Sequence, residues 1–200
     1  MGDVPGESRR RGGRLKWLVL LAILLAGGVG VWVWQSQRAY HLAVVEPGVL
    51  WRDGAKSERQ FATALEEVKP RTVVSLVDAV ELADVSKPQF GAEAKECEVH
   101  GAKLERIEVK LGGWPTSADV RKFLAVVGEE KNRPVLVHCA QGVRRTGFFV
   151  AAYQMSVLGY DKQKAKDAIL TFGHSDRTID DIRRFIDGYD AKERAVSSGR

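Results

Sequence analysis

Cysteine occurs only twice in the 200 residues, at Cys97 and Cys139, too few for a scaffold built from several disulfides. Proline is scarce too, with six residues, and no internal repeat or low-complexity block follows the polar, glycine-rich start. A fibrous or disordered chain is therefore excluded. His41, His100 and His174 are scattered, with no spacing suited to a metal ion. An excess of charge over the main body is missing as well. The net charge is +5, but the first sixteen residues carry Arg9, Arg10, Arg11, Arg14 and Lys16 against only Asp3 and Glu7. The other 26 basic and 24 acidic side chains nearly cancel, so no nucleic-acid surface is indicated.

Charge is absent altogether from WLVLLAILLAGGVGVWVW, Trp17 to Trp34. As a helix this run of about 18 residues is about 27 Å long, just enough to span a bilayer. Trp17, Trp32 and Trp34 sit at its ends, where indole rings favour the lipid–water interface, and the basic flank predicts a cytoplasmic N-terminus. The organisation expected is a cytoplasmic basic tail over 1–16, a single-pass transmembrane anchor over 17–34, a linker over 35–47 and an extracytoplasmic domain over 48–196. A cleaved signal peptide and a buried core helix are the alternatives for the apolar run.

Within the domain, GVLWRDG reads as a strand, SERQFATALEEV as an amphipathic helix capped by Ser57, and RTVVSLV as a buried strand. Residues 87–99 read as a weak helix. KLERIEVKL alternates and predicts a strand with Ile107, Val109 and Leu111 on one face. SADVRKFLAVVGEE predicts a helix, PVLVHC a strand, and three helices follow at 145–158, 161–172 and 178–194. Strands alternating with helices imply an α/β fold with a mostly parallel central sheet flanked by helices.

The chemistry is concentrated in VLVHCAQGVRRTG, residues 135–147. An apolar strand runs into a helix through a short loop, where backbone N–H groups converge and favour an anion. Cys139 stands at the carboxyl end of the strand and Arg145 at the helix start. The same field lowers a thiol pKa and makes a thiolate nucleophile aimed at phosphorus. Gly142 permits close backbone approach. Thr146 can donate its hydroxyl to the sulfur, and His138 can orient the loop.

HCAQGVRRTG resembles the signature of the cysteine-dependent protein tyrosine and dual-specificity phosphatases, and VLWRDGAKSERQF resembles the segment that opens their small atypical branch. The likeness spans roughly Gly48 to Phe172. It implies a two-step reaction through a phosphocysteine at Cys139, with no metal or cofactor. Arg145 would clamp the phosphoryl oxygens, within a phosphate-binding loop of Ala140, Gln141, Gly142, Val143, Arg144 and Arg145. The partners implied are phosphorylated proteins, phosphorylated small molecules or lipid headgroups.

The family's general acid, an aspartate some thirty residues before the cysteine, has no counterpart at that place. Asp119 is the nearest upstream aspartate, and Glu108 is another candidate. Thr116 and Asp119 also have capping-box-like spacing, which needs no catalysis. Cys97 reads as a buried small side chain or as a redox partner for Cys139. Arg144 reads as solvated, or as a second cation suited to polyanionic substrates. Two functions compete with turnover: phosphate recognition without hydrolysis, and sulfur transfer, which also uses a cysteine between strand and helix.

Overall fold

The computed structural model describes the backbone of residues 11–190 and all its side chains except those at 11–15, 32, 34 and 36. Two compact units divide at Arg38. The first holds α1 (Arg11–Gln37), on which the expected anchor falls. Among the described residues no helix is long and apolar enough to cross a membrane, so the structure gives that anchor no support. The tail expected at 1–16 lies largely outside the described residues, as do the indole side chains at 32 and 34.

The second unit, from Ala39 onward, is the α/β domain. Its five-stranded sheet has the order β1-β2-β5-β3-β4, with β1 (Tyr40–Glu46), β2 (Leu50–Gly54), β3 (Thr72–Ser75), β4 (Lys103–Arg106) and β5 (Val135–Cys139). Three of the four pairings are parallel and only β1–β2 is antiparallel, as the alternation of strands and helices implies. The stretch read as a linker, 35–47, therefore contains a strand. Its pattern conceals this: His41 has φ +64, and the register against β2 shifts twice, so no clean two-residue period survives.

Parallel strands covered on both faces read as unbroken apolar runs, and β3 and β5 are buried throughout. On one face Val74, Val135 and Val137 pack with Phe123 of α5 (Ser117–Gly128), Phe149 of α6 (Arg144–Ser156) and Ile182 of α8 (Asp176–Gly188). On the other, Val73 and Leu136 meet Phe61 of α2 (Glu58–Val68) and Phe90 of α4 (Pro88–Val99). Ser57 caps α2 as expected, accepting from Gln60 N–H at 3.2 Å.

Three elements are shorter than expected. The helix expected over 178–194 is α8 and ends at Gly188, with 191–196 of the expected domain lying outside the described residues. β4 stops at Arg106 because β3 ends at Ser75 and offers no further edge. Ile107 and Val109 remain buried, whereas Leu111 is 70% exposed. The helix expected over 161–172 is α7, Lys162–Asp167. Phe172, with φ +47, then turns its ring onto His41 at 4.3 Å. A four-residue helix absent from the sequence reading, α3 (Ala79–Leu82), follows β3.

Candidate active site

Open α/β sheets collect ligands at the carboxyl ends of their strands, and β5, the middle strand of the five, delivers Cys139 there. The loop from Ala140 to Val143 leads into α6. Its path is fixed from beneath by β2. Gly54 pairs with Cys139 in register, and Ala55 N–H donates to Cys139 C=O at 3.0 Å. Gly142 has φ +67, and a Cβ there would lie 2.5 Å from the Asp53 carbonyl oxygen. A Cβ on Gly54 would lie 2.7 Å from the Gln141 carbonyl carbon. Neither place admits a side chain. Arg52, buried beneath the loop, donates from Nη2 to Gly142 C=O at 2.5 Å, and His41 Nδ1 lies 2.8 Å from Gln141 C=O. With carbonyls held from outside, the loop's N–H groups are left to face inward.

They meet the sulfur. Gly142 N–H donates to Cys139 Sγ at 3.2 Å. Burial by itself pushes the Cys139 thiol up. The Arg145 guanidinium, the Thr146 hydroxyl and the N–H groups of Thr146 and Gln141 outweigh it, and the pKa falls below the ordinary 9.0. The Thr146 hydroxyl is buried with no competing hydrogen-bond partner. Cys139, Ala140, Gln141, Arg144 and Arg145 line one cavity of about 290 Å³, together with Glu81, Lys87 and Leu111.

Arg145 is held on its far side. It donates to both carboxylate oxygens of Glu81, at 2.5 and 2.9 Å, and to the carbonyls of Leu76 and Val109, at 3.1 and 3.0 Å. Glu81 belongs to α3, which Asp78 caps by accepting Glu81 N–H at 2.8 Å; the other Asp78 oxygen accepts Leu111 N–H at 2.9 Å. Sequence reasoning missed Glu81. The signal available was an acidic residue inside the apolar run VVSLVDAVEL, where burial demands a cationic partner.

Arg144 lines the cavity but is not simply solvated. Its guanidinium donates to Asp181 at 2.6 Å and to the carbonyls of Gly113 and Gly112 at 2.7 and 3.1 Å, over the rings of Phe148 and Trp114. It ties the 112–114 loop to α8. His138 is fully buried against Phe61, with Nε2 3.7 Å from Glu93 Oε1. Burial lowers its pKa against the pull of Glu93 and the Cys139 backbone, which leaves a neutral ring unsuited to acid–base work. Asp53, in the same layer, has two buried oxygens without a partner, and burial holds its carboxyl well above the ordinary range, with the nearby sulfur adding to the effect.

Asp119 stands elsewhere. Its carboxylate accepts Thr116 N–H and hydroxyl, both at 2.7 Å, while Thr116 Oγ1 accepts Asp119 N–H at 3.2 Å. This is a complete capping box for α5, and Asp119 does not line the cavity. Glu108 is exposed and also absent from its walls. Cys97 is buried in the α2–α4 core, on the opposite face from the Cys139 cluster.

The family model for the DSP-PTPase phosphatase fused to NAD+ kinase matches residues 47–184. The dual specificity protein phosphatase TpbA of Pseudomonas aeruginosa is 37% identical over 89 residues, which are 41% of this chain and 40% of TpbA. A tyrosine-protein phosphatase of Autographa californica nuclear polyhedrosis virus is 31% identical over 115 residues, 56% of this chain and 66% of that protein. The chain thus aligns with less than two thirds of either relative. In fold it is similar to the catalytic core of the PP-IP phosphatase Siw14 from S. cerevisiae, with a TM-score of 0.62 at 19% identity over 80% of this chain and 93% of that one. The crystal structure of P. aeruginosa TpbA gives 0.60 at 22% identity over 82% and 98%. Since the family match takes in more than half of the residues and the whole loop from Cys139 to Thr146, the chain belongs to this family of cysteine-dependent dual-specificity phosphatases.

Proposed function

We propose that the protein hydrolyses phosphomonoesters through a phosphocysteine on Cys139. The observation that carries the reading is the ring of inward N–H groups, closed by Arg145, that lowers the pKa of a thiol at the floor of a cavity. The thiolate attacks phosphorus, an S–P bond forms and the P–O bond to the leaving group breaks. The non-bridging oxygens take up the hydrogen bonds of the loop and of the Arg145 edge that Glu81 leaves available. Water then cleaves the S–P bond, and the Thr146 hydroxyl eases departure of the sulfur as a thiolate.

The leaving oxygen needs a proton, and the one carboxylate on the cavity wall among the described residues, Glu81, is committed to Arg145. Phosphate esters of phenols, which leave without much help, therefore fit best. The same feature favours the second reading, a module that binds phosphate without turning it over. A third, hydrolysis of polyphosphorylated small molecules or lipid headgroups, draws support from the likeness to Siw14, named as a PP-IP phosphatase. Attachment of the domain to the outer face of a membrane through 17–34 belongs to the proposal as well, supported by the charge-free sequence and its basic flank. Resistance to alkaline extraction, and protease access to the domain from the extracytoplasmic side alone, are the expected results.

The decisive test is vanadate-sensitive hydrolysis of 4-nitrophenyl phosphate. Cys139→Ser should abolish turnover and keep measurable phosphate-analogue binding. Turnover near wild type in that variant would end the proposal, and binding without turnover in the wild type would favour the recognition module.

A further inference from the structure

A second cavity of about 210 Å³ adjoins the reaction cavity and shares Lys87, Ala140 and Gln141 with it. Its other walls include Tyr40, Lys56 and Gln89, so among the described residues it carries two ammonium groups and no carboxylate. Lys56 follows the Gly54–Ala55 step that is bonded to Cys139 C=O, which fixes its backbone beside the loop, and its ammonium lies 5.1 Å over the Tyr40 ring. Lys87 comes from the opposite side, at the head of α4, and touches one carboxylate, Asp84, at 2.9 Å. That helix start has no acidic residue in its first turn and no side-chain cap, which adds to the positive field. Arg144, the cation singled out in the sequence, is spent on Asp181 and two carbonyls and is no part of this patch.

Resting on the phosphatase reading, we infer that Lys56 and Lys87 form a second anion subsite, which selects small substrates bearing another phosphate group besides the one that reacts. With one phosphoryl group in the Cys139 loop, a second on the same compact scaffold reaches across the shared wall of Ala140 and Gln141 to the two ammonium groups. Two adjoining concavities match a compact bisphosphate better than an extended peptide, which needs a groove.

The test uses full-length Cys139→Ser and calorimetric titration with inositol 1-phosphate and inositol 1,4-bisphosphate. Two charge-assisted contacts at a partly exposed site should give the bisphosphate an advantage of about 10-fold. That advantage should shrink as salt rises toward roughly 1 M, where the Debye length is about 3 Å. Lys56→Gln and Lys87→Gln in the same background should each lower the ratio, and the pair should bring it to about 1-fold, the value for no discrimination. Equal affinities for the two ligands, or an advantage that survives both substitutions, would overturn the subsite. So would a lysine-dependent gain confined to phosphopeptides with an acidic neighbour. If the monophosphate itself fails to bind, the reading of the Cys139 loop falls and takes the subsite with it; if it binds normally, only the subsite is at stake.

Discussion

Cys97 and Cys139 are both buried, at 1% and 3% exposure, yet their surroundings oppose each other. Burial pushes the Cys97 thiol up to about 12, with Glu93 adding to the effect. At Cys139 the guanidinium, hydroxyl and N–H groups overcome the same burial. Alkylation by iodoacetamide at neutral pH should therefore modify one thiol, on the peptide carrying Cys139, with a rate that rises with pH to a midpoint below 9.0. A midpoint at or above 9.0, read by mass spectrometry across pH, would contradict the thiolate. Glu81 invites a second test at this scale. Glu81→Ala strands a buried guanidinium, and the loss of one partner of such a pair costs about 3–5 kcal/mol; the two carbonyls on Arg145 place the effect at the lower end. Glu81→Gln keeps an acceptor and so most of the stability, but a clamp displaced by about 1 Å can lower kcat/KM by about 100-fold. Unchanged kcat/KM in Glu81→Gln would remove Glu81 from the positioning of Arg145. That residue was illegible beforehand because nothing local links positions 81 and 145; the link is made only when β3 and β5 become neighbours.

Elements with a strong period and a cap were readable, as Ser57 with α2 and Thr116 with α5 illustrate. Strand ends were not, because they depend on the neighbour. Ile107 and Val109 keep the alternation that predicted a longer β4, but the chain there leaves the sheet, and Val109 C=O turns to Arg145 instead of to a strand. The strand β1 was hidden for the converse reason, its pairing with β2 holding despite a broken pattern. The start of α5 carries a prediction of its own. Asp119 is used up in the capping box, so Asp119→Asn should cost roughly 1 kcal/mol of stability, the usual worth of a cap. Loss of a general acid would instead lower kcat by about 10²–10⁴-fold and steepen its dependence on the leaving group. Comparing 4-nitrophenyl phosphate with phenyl phosphate in wild type and variant separates the outcomes. Equal ratios assign Asp119 to the helix, and a selective loss on phenyl phosphate assigns it to proton transfer.

At the scale of the whole molecule, the division at Arg38 and the pairing of β1 determine where the chain can be cut. A chain starting at Ala39 retains all five strands. One starting at Gly48, where the resemblance to the phosphatases begins, removes β1 and turns β2 into an unprotected edge. Two contacts go with it: the hydrogen bond from the Tyr153 hydroxyl to Glu46, and that between His41 and the carbonyl of Gln141. The first joins β1 to α6, and the second steadies the loop that holds the phosphate. Each ladder hydrogen bond lost is worth about 0.5–1.5 kcal/mol, so the shorter chain gives up several kcal/mol out of a total that is typically about 5–15 kcal/mol. The Ala39 chain should match the full-length protein in denaturation midpoint and in aryl phosphate turnover. The Gly48 chain should unfold at clearly lower denaturant and lose turnover even where it remains folded, since β2 positions both Arg52 and Gly54 under the loop. Identical midpoints for the two chains would mean that β1 is an ornament on the sheet, and that the loop owes its shape to β5 and α6 alone.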